Sequence, residues 1–255
     1  GICGDDLIKR KGKVCGVIAG ENKFESEVVI LAEGVNALLT QKLGFRDELK
    51  PGEVAIGAKE LIALPEEVIN DRFQVSSSEE GAAWLFVGSP TNGRIGGGFL
   101  YTNKSTISIG VVCTLGDFQK SSKTMPQLVE DFKNHPVIKP LIKGGTLLEF
   151  SSRLVPKGGY HMLPKLVDDG VLIIGDAAGF CINIGHAVRG MDLAVTSADC
   201  AAKAVIEAKK KNDYRKSSLK KYKELLEETY LMKDLKLYQN FPEFMESDRL
   251  YNEYP

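Results

Sequence analysis

The sequence predicts an α/β protein with an α+β insertion: part of a nucleotide-binding domain, interrupted by a segment that carries an antiparallel sheet. Three observations predict this. The apolar run Val171-Leu172-Ile173-Ile174 leads into Gly175-Asp176-Ala177-Ala178-Gly179, which reads as a buried strand, a turn and the small-residue opening of a helix. A second apolar run, Val28-Val29-Ile30-Leu31-Ala32, ends at Glu33-Gly34. Between the two, the texture changes to alternating polar and apolar residues separated by turn-forming clusters.

Taken in order, Asp5 to Arg10 and Lys13 to Ala19 read as strands joined by a turn at Lys11-Gly12, with a second turn at Glu21-Asn22-Lys23. The run from Val28 is that of a strand covered on both faces, and Ala37 to Leu43 follows as a short helix stopped by Gly44. Val54 to Leu61 alternates, and Pro65 to Phe73 reads as a helix with Pro in its first turn. Ala82 to Val87, Arg94 to Thr102 and Thr106 to Thr114 read as successive antiparallel strands. Thr124 to Asn134 places Met125, Leu128, Val129 and Phe132 on one helical face; Pro136 interrupts it, and Pro140 to Lys143 reads as a turn. Leu147 to Val155 returns to strand. Asp192 to Ala208 is a helix rich in small residues, Leu219 to Leu237 a single amphipathic helix, and the stretch from Asn240 to Pro255 has no clear period.

Composition narrows the function classes. With 255 residues the chain is long enough for a substantial core, and 43% hydrophobic and 26% charged residues are ordinary for a soluble globular protein. A net charge of −1 creates no global field favouring nucleic acid. No apolar run approaches the roughly 20 residues of a membrane span, and no secretory signal is visible. The five cysteines, Cys3, Cys15, Cys113, Cys181 and Cys200, form no CxxC pair, which argues against a disulfide framework, a zinc site or an iron–sulfur site within the chain. The chain opens on Gly1 rather than Met, which reads as a fragment or a processed form.

The chemistry gathers around Gly175 to Gly179. Backbone N–H groups at a helix start can face phosphate, small residues permit close approach, and Asp176 can accept hydrogen bonds from sugar-type hydroxyls. The segment Asn183 to Asp192 brings Gly185 and Gly190 close behind in sequence. Together these residues predict a site for a large, polar, phosphate-bearing cofactor. Gly93, Gly96, Gly97 and Gly98 read instead as turn and strand glycines of the insertion. His186 is read either as a proton shuttle or as a loop histidine satisfied by backbone, and His135 and His161 as structural. Between Lys203 and Lys223, nine basic residues face two acidic ones, either a solvated helix face or a docking site for an acidic protein or anionic lipid.

GDAAGFCINIGHAVRGMDLA (Gly175 to Ala194) resembles the second flavin-binding motif of glutathione-reductase-type flavoproteins, and more narrowly that of the FixC and electron-transfer-flavoprotein:quinone oxidoreductase branch. VVILAEGVNALLTQKLG (Val28 to Gly44), VAIGAKELIALP (Val54 to Pro65), FVGSPTNGRIGGGFLYTN (Phe86 to Asn103), PQLVEDFKNHPVIKPLIKGG (Pro126 to Gly145) and the tail from Tyr238 to Pro255 resemble the same branch in order. The family begins with a strand–GxGxxG–helix, and no GxGxxG opens this chain. Where the branch has Asp, this chain has Glu33.

The resemblance implies an FAD-dependent oxidoreductase that passes electrons from an electron-transfer flavoprotein towards quinone, with a ferredoxin-like iron–sulfur protein as a further partner. It implies FAD contacts from Glu33, Gly34, Gly175, Asp176, Ala177, Ala178, Gly179, Asn183, Gly185, Arg189, Gly190 and Met191. Asp176 would serve the ribityl chain, and Arg189-Gly190-Met191 would lie near the pyrimidine side of the flavin ring, where Arg189 would favour its reduced form. No catalytic residue is assigned. The implied domains are 1–45, part of the FAD-binding domain; 46–155, the substrate or quinone side; 156–210, the return of the FAD-binding domain; and 211–255, a helical segment. The implied location is the cytoplasm, with peripheral contact to the inner face of the cell membrane left open. Two alternatives are a geranylgeranyl-reductase-like flavoprotein that reduces isoprenoid double bonds, and a folded domain that only binds a partner.

Overall fold

A computed structural model describes residues 1–77, 79–185, 187–247 and 249–253. The chain divides into two units, residues 1–49 with 156–242 and residues 50–155 with 243–255.

The first unit opens with strands β1 (Asp6–Arg10), β2 (Lys13–Ala19) and β3 (Asn22–Glu25), an antiparallel sheet in sequence order. The expected turn at Glu21 to Lys23 lies earlier. Gly20 adopts φ +60° and turns the chain with Glu21, so Asn22 and Lys23 already pair with Ala19 and Ile18. Strand β4 (Val29–Leu31) follows. It is not covered on both faces as its apolar run suggests: Val29 and Leu31 are buried, but Ile30 is 42% exposed. Helix α1 (Leu38–Lys42) ends at Gly44, whose φ of +69° closes it.

The second unit is a five-stranded sheet in the order β6-β7-β8-β5-β9, built from β5 (Val54–Ala63), β6 (Ala83–Phe86), β7 (Gly96–Thr102), β8 (Thr106–Thr114) and β9 (Thr146–Pro156). Helix α2 (Glu66–Phe73) follows β5, and α3 (Leu115–Phe118), α4 (Met125–Asn134) and α5 (Lys139–Ile142) lie between β8 and β9. The period-2 pattern of β8 buries Ile107, Ile109 and Val111, which join Met125, Leu128, Val129 and Phe132 of α4 in one core. Thr124 and Gln127 form a capping box at the start of α4. The expected turn at Pro140 to Lys143 is instead the helical turn α5, with Pro140 in its first turn where a missing N–H costs nothing.

The chain then re-enters the first unit. Strands β10 (Val167–Asp168) and β11 (Val171–Ile173) pair antiparallel, and β11 runs parallel to β4, with Val171, Leu172 and Ile173 opposite Val29, Ile30 and Leu31. The hairpin β12 (Ile182–Asn183) and β13 (Val188–Arg189) precedes the long helix α6 (Met191–Lys211). Leu219 to Leu237 is not one helix. It is broken into the end of α7 (Lys216–Leu219), α8 (Lys221–Glu228) and α9 (Tyr230–Leu237). Thr229 is extended (φ −85°, ψ 164°) and its hydroxyl donates to the Leu226 carbonyl at 2.6 Å, replacing a helical bond at the break. The buried faces of α6, α8 and α9 supply Leu193, Tyr222, Leu226 and Leu231 to a core shared with Leu172 and Ile173. Two short turns, α10 (Phe241–Phe244) and α11 (Arg249–Asn252), follow.

Candidate functional site

In open parallel sheets, ligands bind beyond the carboxyl ends of the strands. The parallel pair β4 and β11 is such a place: both strands end in glycine-bearing loops, with Gly34 at φ +71° and Gly175 at φ +60°. The helix expected to open at Gly175 does not form. Gly175–Ala178 is a single 3-10 turn closed by Gly179 in the left-handed region (φ +72°), and the Phe180 N–H returns to the Gly175 carbonyl at 3.2 Å. A glycine at each end lets the chain turn where a side chain would be strained. The long helix starts only at Met191.

Two buried side chains hold this turn from behind. The Gly175 N–H donates to the Ser197 hydroxyl at 3.0 Å, and the Tyr222 hydroxyl donates to the Ile173 carbonyl at 2.9 Å. Sequence reasoning passed over both. Ser197 carried a faint signal, as a polar residue on the face of α6 that buries Leu193, Cys200, Ala201, Ala204 and Ala208.

Asp176 is half-buried, and among the described residues no side chain or backbone donor meets its carboxylate within hydrogen-bond distance. Burial pushes its pKa above the usual carboxylate range. Gly190 is the nearby gap: a Cβ there would lie 3.9 Å from Asp176 Oδ1 and 3.8 Å from the Cys181 sulfur. A half-buried acceptor without a donor, beside glycines that leave space, suits a ligand that brings hydroxyl groups. The Cys181 thiol is pushed up to about 12 by burial, which keeps it protonated and unreactive.

On the other loop, the Glu33 carboxylate binds the start of α1. It accepts the N–H groups of Leu39 at 2.6 Å and Thr40 at 2.9 Å, and the Thr40 hydroxyl at 2.8 Å. Glu33 is therefore a helix clamp whose oxygens are engaged within the chain. Arg46, also unsuspected from sequence, donates through Nη2 to the Val35 carbonyl at 2.6 Å and through Nη1 to the Ala177 carbonyl at 3.4 Å.

The remaining expected residues are arranged differently. The Asn183 side chain accepts the Gly185 N–H at 2.9 Å and shapes the tip of the β12–β13 hairpin, where Gly185 is exposed at φ +82°. Arg189 is clamped between two carboxylates, Asp234 at 2.6 Å and Asp192 at 2.6 Å, and lies 5.5 Å from the Tyr230 ring centroid. Both carboxylates raise its pKa, and its charge is neutralised within the fold. Met191 is 88% exposed at the first turn of α6. His186 lies outside the described residues. The basic stretch is partly paired, Lys203 with Asp199, Arg215 with Asp213, and Lys220 and Lys221 with Glu224, while Lys209 and Lys210 are exposed near the end of α6. Among the described residues, no helix is long and apolar enough to cross a membrane.

Comparison with known proteins adds three findings. Residues 54–155 match the family model described as ETF-QO, ubiquinone-binding. The whole chain is 52% identical over 255 residues to a protein named as the probable electron transfer flavoprotein-quinone oxidoreductase YdiS of Escherichia coli K12, and 51% identical over the same length to protein FixC of that strain. In both cases the chain spans 59% of the relative's length. Among solved structures, a geranylgeranyl bacteriochlorophyll reductase-like protein from Thermoplasma acidophilum matches 98% of the chain and 59% of its own, with a TM-score of 0.75 at 18% identity. The flavin-dependent brominase Bmp2 matches 97% of this chain and 60% of its own, with a TM-score of 0.66 at 18% identity. At that identity the two structures establish the fold alone: an α/β fold with an antiparallel-sheet insertion.

Proposed function

We propose that this chain, similar over its whole length to FixC and YdiS, belongs with the electron-transfer-flavoprotein–quinone oxidoreductases and takes part in FAD-dependent electron transfer from an electron-transfer flavoprotein towards a quinone. The observation that carries the reading is the similarity of the chain over 255 residues, at about half identity, to FixC and YdiS. The Asp176 carboxylate supports the cofactor, since among the described residues no donor meets it at the end of β11.

In this reading the first unit is the FAD-binding domain and residues 50–155 form the quinone side. Asp176 accepts hydroxyls of the ribityl chain, the loops at Gly34 and at Gly175, Ala177, Ala178 and Gly179 let the cofactor approach the backbone, and Gly190 leaves room beside Asp176. Glu33 contributes by anchoring α1, and Arg189 by fixing the start of α6 against α9. Asn183, Gly185 and Met191 border the site as hairpin tip and helix start. The flavin ring, when bound, supplies the redox chemistry. The chain binds, orients and partly buries the cofactor, and no side chain is assigned a proton-transfer role. In the same reading a ferredoxin-like iron–sulfur protein completes the electron path, the protein works in the cytoplasm, and the basic end of α6 suits an acidic protein or an anionic lipid surface.

The test uses protein expressed from its complete reading frame. Reduced protein mixed with a water-soluble quinone analogue should reoxidise its flavin, followed by visible absorbance. Saturation of an isoprenoid double bond without quinone reduction would replace this reading by the reductase alternative.

A further inference from the structure

We propose that Arg46 is a positioning residue for the cofactor: its guanidinium ties the Gly34 loop to the Gly175 loop and sets the gap that a diphosphate-bearing ligand must fit. The proposal rests on the reading above that these loops hold FAD.

The sheet fixes only the roots of the two loops. Strands β4 and β11 are neighbours, so Leu31 and Ile173 sit at the inter-strand spacing of about 4.8 Å. Beyond them one loop runs to Gly34 and Val35 and the other through the Gly175–Ala178 turn. Arg46 reaches both, with one nitrogen on the Val35 carbonyl and another on the Ala177 carbonyl. The last carbonyls of a helical turn have no partner inside it, so the Ala177 carbonyl is open to such a donor. The planar guanidinium presents several N–H groups in a fixed fork, which suits it to hold two acceptors at a set separation.

The base of Arg46 is itself anchored. The Phe45 carbonyl accepts the Lys165 N–H at 3.0 Å, and the Phe45 ring lies 4.5 Å from the Lys165 ammonium. Glu33 holds the other end of α1 by its first N–H groups. The clasp therefore has a fixed base and a fork-shaped head, and it also places a half-buried positive charge beside loops read as facing a diphosphate.

Arg46→Met and Arg46→Lys, made in the complete protein, test this by two measurements: FAD titration followed by quenching of flavin fluorescence, and thermal unfolding of the flavin-free protein. Arg46→Met is expected to weaken FAD binding about tenfold or more. Arg46→Lys keeps the charge but not the fork; it should restore the flavin-free melting temperature while leaving most of the loss in affinity. Unchanged FAD affinity in Arg46→Met overturns the proposal, as does an Arg46→Lys protein in which stability and affinity recover together, because that pattern belongs to a purely structural residue. Parent protein that takes up no FAD overturns the cofactor reading and this proposal with it. Parent protein that binds FAD no better than Arg46→Met overturns this proposal alone.

Discussion

Ser197 holds Gly175: its buried hydroxyl accepts the Gly175 N–H at 3.0 Å while donating to the Ala194 carbonyl at 2.7 Å. One side chain on the first half of α6 thereby satisfies the N–H at which β11 turns into its loop. With the Tyr222 hydroxyl on the Ile173 carbonyl, the turn is supported from the core side, while among the described residues no donor meets the Asp176 carboxylate.

Removing that hydroxyl should be costly. Ser197→Ala leaves the Gly175 N–H buried without a partner, and stability should fall by about 1–3 kcal/mol. Urea unfolding of the variant beside the parent measures this directly. Superimposable curves would mean that the turn holds its shape without Ser197.

Asp176 should make the flavin-free protein pH-sensitive. Burial raises its pKa in the folded state, so as pH climbs past the ordinary carboxylate value of about 3.9 the unfolded chain loses its proton first. Between that value and the raised one, the folded state binds more protons, and stability falls as pH rises. Asp176→Asn should therefore melt higher than the parent at pH 7, with the advantage disappearing below about pH 4. Asp176→Ala should weaken FAD binding by about 1–3 kcal/mol, read by calorimetry. A parent and an Asn variant with parallel melting curves from pH 3 to 8 would refute the burial argument.

Arg189 is bound to two carboxylates rather than held free for a ligand. Arg189→Gln should lower stability by about 1–2 kcal/mol, between the values for exposed and fully buried pairs, because Asp192 and Asp234 are then left facing each other. Its effect on the flavin midpoint potential should be slight, since the charge is neutralised within the fold. A redox titration showing a large drop in potential would return Arg189 to the flavin ring.

Gly158 has φ +67°, and a Cβ there would run into the Cys181 carbonyl, the same carbonyl that accepts the Gly159 N–H at 2.9 Å. Gly158→Ala combines backbone strain with a clash against backbone. It should destabilise the protein by more than about 1 kcal/mol, seen as a lower melting temperature. An unshifted melt would show that the segment before Tyr160 adapts freely.

Much of the framework was legible in the chain itself, because it depends on neighbours in sequence. The period-2 pattern of β8, the apolar face of α4 at Met125, Leu128, Val129 and Phe132, and the glycines that end β4 and β11 are local signals of burial and backbone freedom. Tertiary structure decided who partners whom. Arg46 and Ala177 are 131 residues apart, Arg189 and Asp234 are 45 apart, and Ser197 meets Gly175 across 22. The break at Thr229 and the short turn at Gly175 likewise follow from packing that no local period encodes. Burial repeats along the chain and leaves a trace there; a hydrogen bond between distant residues forms only when the folded backbone brings donor and acceptor within about 3 Å.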